Sequence, residues 1–509
     1  MSGFRDAWPW TEDRLRWVIA VFAGGVSVVG TSFALYGTSQ SFVIVAASRG
    51  TLDLLPSDVV ASIIWNFGDY SFALALIGLG TLLAVVTGAV SHAAFQFGRA
   101  RSGDAAGLAL SAVLVALLVA LLVGAPLPAL APAVAGTGVM GLVVRMLDGI
   151  DDEQSADRRR VLVRALVGVG AYNVVTHAIG AFRGVGSRPG DLDGAAVGDT
   201  DESEGDSIDA KLATAADRSL GVDGMSGLVV DVEDFYTVDI NPRPPTTETE
   251  GWSLSVTGAV ETEREYDYAA IRDRESVDQF KTLRCLGDPI DGEQIGTALW
   301  SGCSISDLIE EANPQGSHAV LRAPDDYYYS MPLSMLADGL VAYGMNGRKL
   351  PRPHGYPVRA LVPNRWGKLN VKWLDEIEIV EESESGYWEE RGWNGMDTVN
   401  TVVKIEATNR LSDGRVQIGG HAYAGTRGVR EVQVSVDGGE TWEAATLSGE
   451  LPDTDTWRQW KYEWQPESSR YNLVAKAVDG TGTEQPRARS SPFPDGATGW
   501  AKLTLNVEL

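Results

Sequence analysis

Five long apolar runs occupy the first third of the chain, and nothing like them follows. They span about residues 17–36, 70–97, 108–124, 127–144 and 161–182. The hydrocarbon core of a bilayer takes about 20 apolar residues per helix, so each run predicts a membrane span. The fourth carries Pro128 and Pro132 in its first turns and is the least regular. Residues 57–65 predict a short amphipathic helix, because Val59, Val60, Ile63 and Ile64 share one face. The first span lacks a small-residue cleavage site, so it reads as a retained helix rather than a signal peptide.

Arginine placement sets the expected orientation. Arg5, Arg14 and Arg16 precede the first span, and Arg99 and Arg101 follow the second. Arg145, Arg158, Arg159 and Arg160 lie between the fourth and fifth. The opposite loops hold only Arg49. The N-terminus is therefore expected inside and everything after residue 182 outside. The stretch DRRRVLVRALVGVGA from Asp157 has two readings. It is a topology cluster, or a twin-arginine export signal for a domain that folds before it crosses.

Composition divides the chain at the same place. It has 42 Lys and Arg against 68 Asp and Glu, a formal charge of −26. Such acidity excludes nucleic acid as a partner, since phosphate binding needs cations. It fits a surface solvated in high salt, where screening removes self-repulsion, as in a salt-accumulating halophile. Residues 183–225 are small, acidic and polar, and predict a disordered linker. Strand signals begin near Leu228. WSLSVTGAV alternates as a strand, and SISDLIEEA offers a serine cap ahead of helical spacing. RALVPNRWGKLNVKWLDEIEIV reads as strand, glycine-containing turn, strand. After Val402 helical signals stop. REVQVSVDGGETWEAA predicts a hairpin, and the short strands that follow at regular spacing predict a β-sandwich.

Only two cysteines are present, Cys285 in TLRCLGDP and Cys303 in WSGCSIS. Taken alone, Cys285 could be a packed apolar residue, half of a disulfide, a nucleophile or a soft metal ligand. Its surroundings narrow this. WSLSVTGAV, TLRCLGDP, ALWSGCSISDLIEEA, VAYGMNGRKLPRPHGYPVRALVPNRWGKLNVKWL and YWEERGW follow one another in order. Residues 231–400 thereby resemble the sulfite oxidase family of molybdopterin enzymes, and 401–485 resemble that family's Ig-like dimerisation domain.

The resemblance implies three parts: an all-α transmembrane region with five helices over 1–182, an α+β molybdopterin domain over 226–400 and an all-β Ig-like sandwich over 401–509. It implies that Cys285 is the thiolate ligand of molybdenum, a role suited to a soft donor that coordination deprotonates. Cys303 is expected in the core. His354 and Arg359 of HGYPVR and Lys372 of NVKW are implied pterin and phosphate donors. Asp325, Tyr236 and Asp239 are further cofactor-binding candidates. Trp393 stands where the family places a tyrosine beside the reacting oxygen, and Arg391 is its charged neighbour. Val238 stands where sulfite oxidases place an arginine, and LGDPIDG lacks the arginines expected after the cysteine. Arg284, Arg365 and Arg391 remain as cations that could serve a substrate anion.

No Cys-x-x-Cys-His is present, and two cysteines cannot hold an iron–sulfur cluster. His92 and His177 lie near opposite ends of their spans, roughly 20 Å apart in depth, too far for one haem. The expected electron partner is therefore external, or a quinone at the membrane half. Two functions stand: a molybdenum oxidoreductase on the outer membrane face, acting as an oxidase or on sulfoxide-like substrates, and a metal-free anchored scaffold. A homodimer through the Ig-like domain is expected.

Overall fold

The computed structural model describes residues 12–36, 43–44, 70–123, 127–148, 176, 207–240, 244–245, 247–394 and 398–507. The helical first part and the sheet-rich second part are two separate compact units.

The first part contains four long helices among the described residues: α1 (Glu12–Tyr36), α2 (Tyr70–Ser102), α3 (Asp104–Val123) and α4 (Leu127–Asp148). All four are long and apolar enough to cross a membrane by length and composition. They match the first four expected spans. The fifth span apart from Thr176, the 57–65 helix, the paired arginines 158–159 and His177 lie outside the described residues. Glycines let the helices close. A Cβ on Gly25 would sit 1.6 Å from the Ala84 carbonyl oxygen, and one on Gly88 would sit 1.9 Å from that of Val21. No side chain fits at either contact, so α1 and α2 meet backbone to backbone, as small residues allow in apolar surroundings. A buried hydroxyl chain, Ser91–Ser111 at 2.6 Å and Ser111–Thr137 at 3.4 Å, joins α2, α3 and α4. Asp104 at the start of α3 pairs with Arg99 at 3.0 Å and Arg145 at 3.1 Å.

The second part begins with a correction. The acidic stretch 183–225 is not disordered throughout, because Ile208–Arg218 forms helix α5, capped by Ser207. Its composition is polar, but Ala215 is buried and tertiary contacts hold the segment. Lys211 Nζ donates to Asp278 O at 3.1 Å. Ser219 Oγ and Leu220 N both donate to Gln459 Oε1, at 2.9 and 2.7 Å. Gln459 Nε2 in turn donates to Ser226 O at 2.7 Å. The segment thus straps two sheet regions that are far apart in sequence.

Two mixed or antiparallel five-stranded sheets follow. One has the order β3-β4-β7-β8, with β9 also on β7; its strands are β3 (Val277–Arg284), β4 (Ile295–Ser304), β7 (Leu340–Met345), β8 (Arg348–Lys349) and β9 (Arg359–Leu361). The other has the order β2-β1-β10-β5-β6, built from β1 (Ser253–Gly258), β2 (Arg264–Asp267), β5 (His318–Arg322), β6 (Tyr328–Pro332) and β10 (Glu376–Val380). Strand β4 is buried along nearly its whole length, which explains its continuous apolar run. Ser304 caps the following helix Ile305–Glu310 as its sequence predicts. The two strands of RALVPNRWGKLNVKWLDEIEIV, β9 and β10, do not pair with each other. They enter different sheets, and the segment between them wraps the site.

The chain then forms two antiparallel sheets, β11-β13-β17-β16, with β12 on β13, and β15-β14-β18-β19, where β11 is Val402–Val403, β12 is Ala407–Arg410, β15 is Glu443–Ala444 and β16 is Thr446–Leu447. Strands β13 (Val416–Tyr423), β17 (Arg458–Trp464), β14 (Val429–Ser435), β18 (Arg470–Asp479) and β19 (Ala501–Asn506) carry most of their core. The predicted hairpin is present, with Val434 opposite Glu443. The connection from β18 to β19 is long and packs onto the site described next.

Candidate active site

Cys285 opens the loop between β3 and β4. Its amide donates to Gln294 O at 2.9 Å, and Asp288 N donates to Cys285 O at 3.2 Å. Asp288 is wholly buried and organises this loop. It accepts from Arg284 Nε at 3.1 Å, from Lys404 Nζ at 2.8 Å and from Gln294 N at 3.1 Å. Arg284 also donates to the carbonyls of Asn400 at 3.2 Å and Ala497 at 3.4 Å. Lys404 donates to Pro289 O at 3.1 Å and Gly292 O at 2.5 Å. Arg284 is therefore not a cation offered to a substrate anion. Its charge is matched inside the protein, where an unpaired charge would be costly.

The Cys285 thiol is half-buried and free, and burial pushes it up to about 11. Cys303 is buried in the core, as expected, and is likewise pushed up to about 11 by burial. A Cβ placed on Gly287 would lie 3.7 Å from Cys285 Sγ and 3.8 Å from the six-ring edge of Trp393, so the thiol and that indole edge border one point. Trp393 is 7% exposed and lies edge-on to Phe493 at 5.1 Å and to Trp388 at 6.4 Å. Its Nε1 is buried without a partner among the described residues. Arg391 turns to Tyr387, with its guanidinium 3.6 Å from the ring centroid and Nη1 donating to Tyr387 O at 2.7 Å. Tyr236 packs under the loop, its hydroxyl 2.9 Å from where a Gly367 Cβ would stand. Burial raises the Tyr236 and Tyr327 hydroxyls well above their usual value, and Cys285 is among the neighbours that add to this.

The other expected residues gather around one turn. Arg352–His354 form a 3-10 turn that Gly355 ends at φ +116°. A Cβ there would meet Arg359 Cβ at 3.0 Å and the Lys372 backbone at 3.2 Å, so glycine lets those two segments approach. His354 is buried, with Nε2 3.3 Å from Val232 O. Burial, then the charges of Arg359 and Lys372, lower it to about 3, so it is a neutral imidazole. Arg359 is buried and donates from Nη1 to His354 O and from Nη2 to Asn370 O, both at 3.0 Å. Its Nε finds no partner among the described residues, and burial lowers it to about 10. Lys372 pairs with Asp239 and donates to Pro353 O at 2.9 Å. Asp325 accepts from Tyr327 N at 3.1 Å, and burial, with the Asp239 carboxylate adding to it, raises it to about 6.

The structure thus brings together Cys285, Trp393 and Tyr236 on one side and His354, Arg359, Lys372, Asp239 and Asp325 on the other. Phe235 links the two, since it stacks on Tyr236 at 5.5 Å and packs edge-on to His354 at 5.6 Å. Sequence reasoning missed Asp288, Lys404, Tyr327 and Phe493. Lys404 had a signal: it is a single lysine within the apolar run TVVKIEA, where a buried charge needs a partner. A half-buried thiol suits a soft metal, and Arg359 Nε beside Lys372 suits an anion.

Asp288→Asn leaves Arg284 and Lys404 buried without their carboxylate. It should cost about 3–5 kcal/mol, read from denaturant unfolding at fixed salt. Asp325 gives a pH signature. Its raised value means its stabilising contribution is complete below about pH 4 and lost as pH rises through about 6. Asp325→Asn should therefore match wild type near pH 4 and exceed it by about 2–3 kcal/mol above pH 7. Equal stability differences at both pH values would contradict this.

Two family models match the second part. The oxidoreductase molybdopterin binding domain covers residues 241–388, and the Mo-co oxidoreductase dimerisation domain covers residues 395–492. Sulfite oxidase of Arabidopsis thaliana is 27% identical over 52% of this chain and 83% of its own length. Mitochondrial sulfite oxidase of Mus musculus is 33% identical over 38% of this chain and 42% of its own length, so the match spans less than half of that relative. The crystal structure of the sulfane dehydrogenase SoxCD from Paracoccus pantotrophus shares the fold, with a TM-score of 0.50 and 20% identity over 56% of this chain and 85% of that one. With Cys285 on its pinned loop and both domain matches in register with the two sheet regions, residues 241–492 belong to the sulfite oxidase family of molybdopterin oxidoreductases.

Proposed function

We propose that this chain is a membrane-anchored, extracytoplasmic molybdenum-cofactor oxidoreductase that moves an oxygen atom and two electrons at a small substrate, sulfur compounds foremost. The observation that carries the reading is the pairing of a half-buried thiol on a pinned loop with a buried guanidinium whose Nε has no partner among the described residues. The donor set fits the cofactor, because a soft thiolate, a neutral imidazole and two cations match a metal dithiolene with a phosphate tail. Cys285 is the metal ligand in this reading. Arg359, Lys372 and His354 hold the pterin and its phosphate, with Tyr236, Asp239 and Asp325 beside them. Trp393 and Arg391 border the substrate side. When bound, the cofactor supplies a centre that gives or takes an oxygen atom with two electrons. The protein's share is to hold that centre rigidly and to keep water from the buried donors.

Oxidation of a substrate by water releases two protons and two electrons, which an external carrier or a quinone accepts. Reduction runs the same balance backwards from a quinol. The arginine bias supports placing residues 226–509 on the outer face. Arg158 and Arg159 are proposed to act in twin-arginine export, because a domain loaded with cofactor inside must cross folded. The domain boundaries proposed are 1–182, a linker to about 206, 226–400 and 401–509, the last Ig-like and pairing two copies. A second reading is sulfite oxidation itself, which the names of the relatives favour.

Protein purified from a host that makes molybdopterin should carry about one molybdenum, or tungsten, per chain, together with pterin. Arg359→Leu should lower pterin content at least several-fold while the circular dichroism spectrum stays unchanged. Wild-type protein free of both metal and pterin would contradict the proposal.

A further inference from the structure

Flanking Cys285 in the chain, Arg284 and Asp288 form a buried ion pair. Lys404 is bound to the same carboxylate. Lys368, further along the wrapping segment, pairs with Glu389, and Arg391 is folded against Tyr387. What borders the thiol is aromatic instead. The Trp393 edge and Cys285 Sγ flank Gly287, and behind Trp393 stand Phe493 and Trp388, both partly exposed. Phe493 comes from the β18–β19 connection, outside the molybdopterin domain. That connection is fastened over the cysteine loop at several points. Arg284 Nη2 donates to Ala497 O, Asn394 Nδ2 donates to Asp495 Oδ1 at 2.7 Å, and Asn394 N donates to Pro494 O at 3.0 Å. A Cβ on Gly496 would lie 3.1 Å from Leu286, the residue after the cysteine.

A small divalent oxyanion loses its hydration on entering such a site and needs cations held ready to replace it. Of the cations in this region, Arg284, Lys404 and Lys368 are bound to carboxylates and Arg391 is turned to a tyrosine. An uncharged molecule has no such requirement, and an apolar group on it gains from contact with aromatic rings. We propose that Trp393 and Phe493 form the specificity wall of the site, and that it selects an uncharged substrate with an apolar group beside the oxygen-bearing atom, as in an aryl or alkyl sulfoxide and its thioether, over sulfite or sulfate. The inference rests on Cys285 marking the metal position, as proposed above.

The test is calorimetric titration of oxidised holoprotein, its metal content measured first, with methyl phenyl sulfoxide and with sulfate. Neither ligand is turned over without an electron donor. Wild type should bind the sulfoxide and take up sulfate far more weakly. Phe493→Ala should raise the sulfoxide Kd about tenfold, the loss expected for one buried aromatic contact. Phe493→Leu, still apolar, should stay within about threefold, and Phe493→Arg should improve sulfate binding. Metal content should be the same in all three variants. Tighter binding of sulfate than of sulfoxide by wild type, or an unchanged sulfoxide Kd in metal-replete Phe493→Ala, would overturn the wall. Loss of metal from wild type would instead strike the assignment of Cys285, so the two failures are separable.

Discussion

The Asp288 carboxylate, shut away from water between Arg284 and Lys404, is the contact on which the site depends. Three charges in a dry interior are expensive unless each is matched. Here one anion meets two cations, and backbone carbonyls take up the remaining donors. The arrangement leaves little freedom. Arg284 is the last residue of β3, Lys404 belongs to the region of paired sheets, and Asp288 lies three residues after the cysteine. Joining them sets the height of the Cys285 turn against both sheet regions at once. A metal ligand must be held to within a fraction of an ångström of its productive position, and a loop of ten residues cannot do so unaided.

Across the site the logic is reversed. Arg359 is buried with one donor left over, and His354 is kept neutral by its surroundings. Lys372 is balanced by Asp239. A partly unsatisfied cationic cluster costs stability unless something anionic completes it. The turn ended by Gly355, at φ +116°, brings the Arg359 and Lys372 segments of this cluster close together.

Much of this was legible in the chain. The apolar runs announced four helices that the structure describes, because about 20 uninterrupted apolar residues have few other uses. HGYPVR and NVKW foretold the cluster of His354, Arg359 and Lys372, since motif order preserves a shape. Other features were not legible, for physical reasons. The strap 207–226 is polar by composition, and its order comes from Gln459, more than two hundred residues away. Arg284 read as an available cation because a sequence shows charge but not its partner. The separation of β9 from β10 into different sheets was hidden because a turn signal does not say whether its flanking strands pair. Phe493 lies in a connection that matches no pattern, and only its packing on Trp393 places it at the site.

The central claim is that the Cys285 sulfur binds the metal. X-ray absorption at the molybdenum edge counts sulfur neighbours directly. The account predicts that Cys285→Ser, isolated with its pterin retained, shows one sulfur neighbour fewer than wild type, while Cys303→Ser shows the wild-type number. An identical sulfur count in wild type and Cys285→Ser would contradict it.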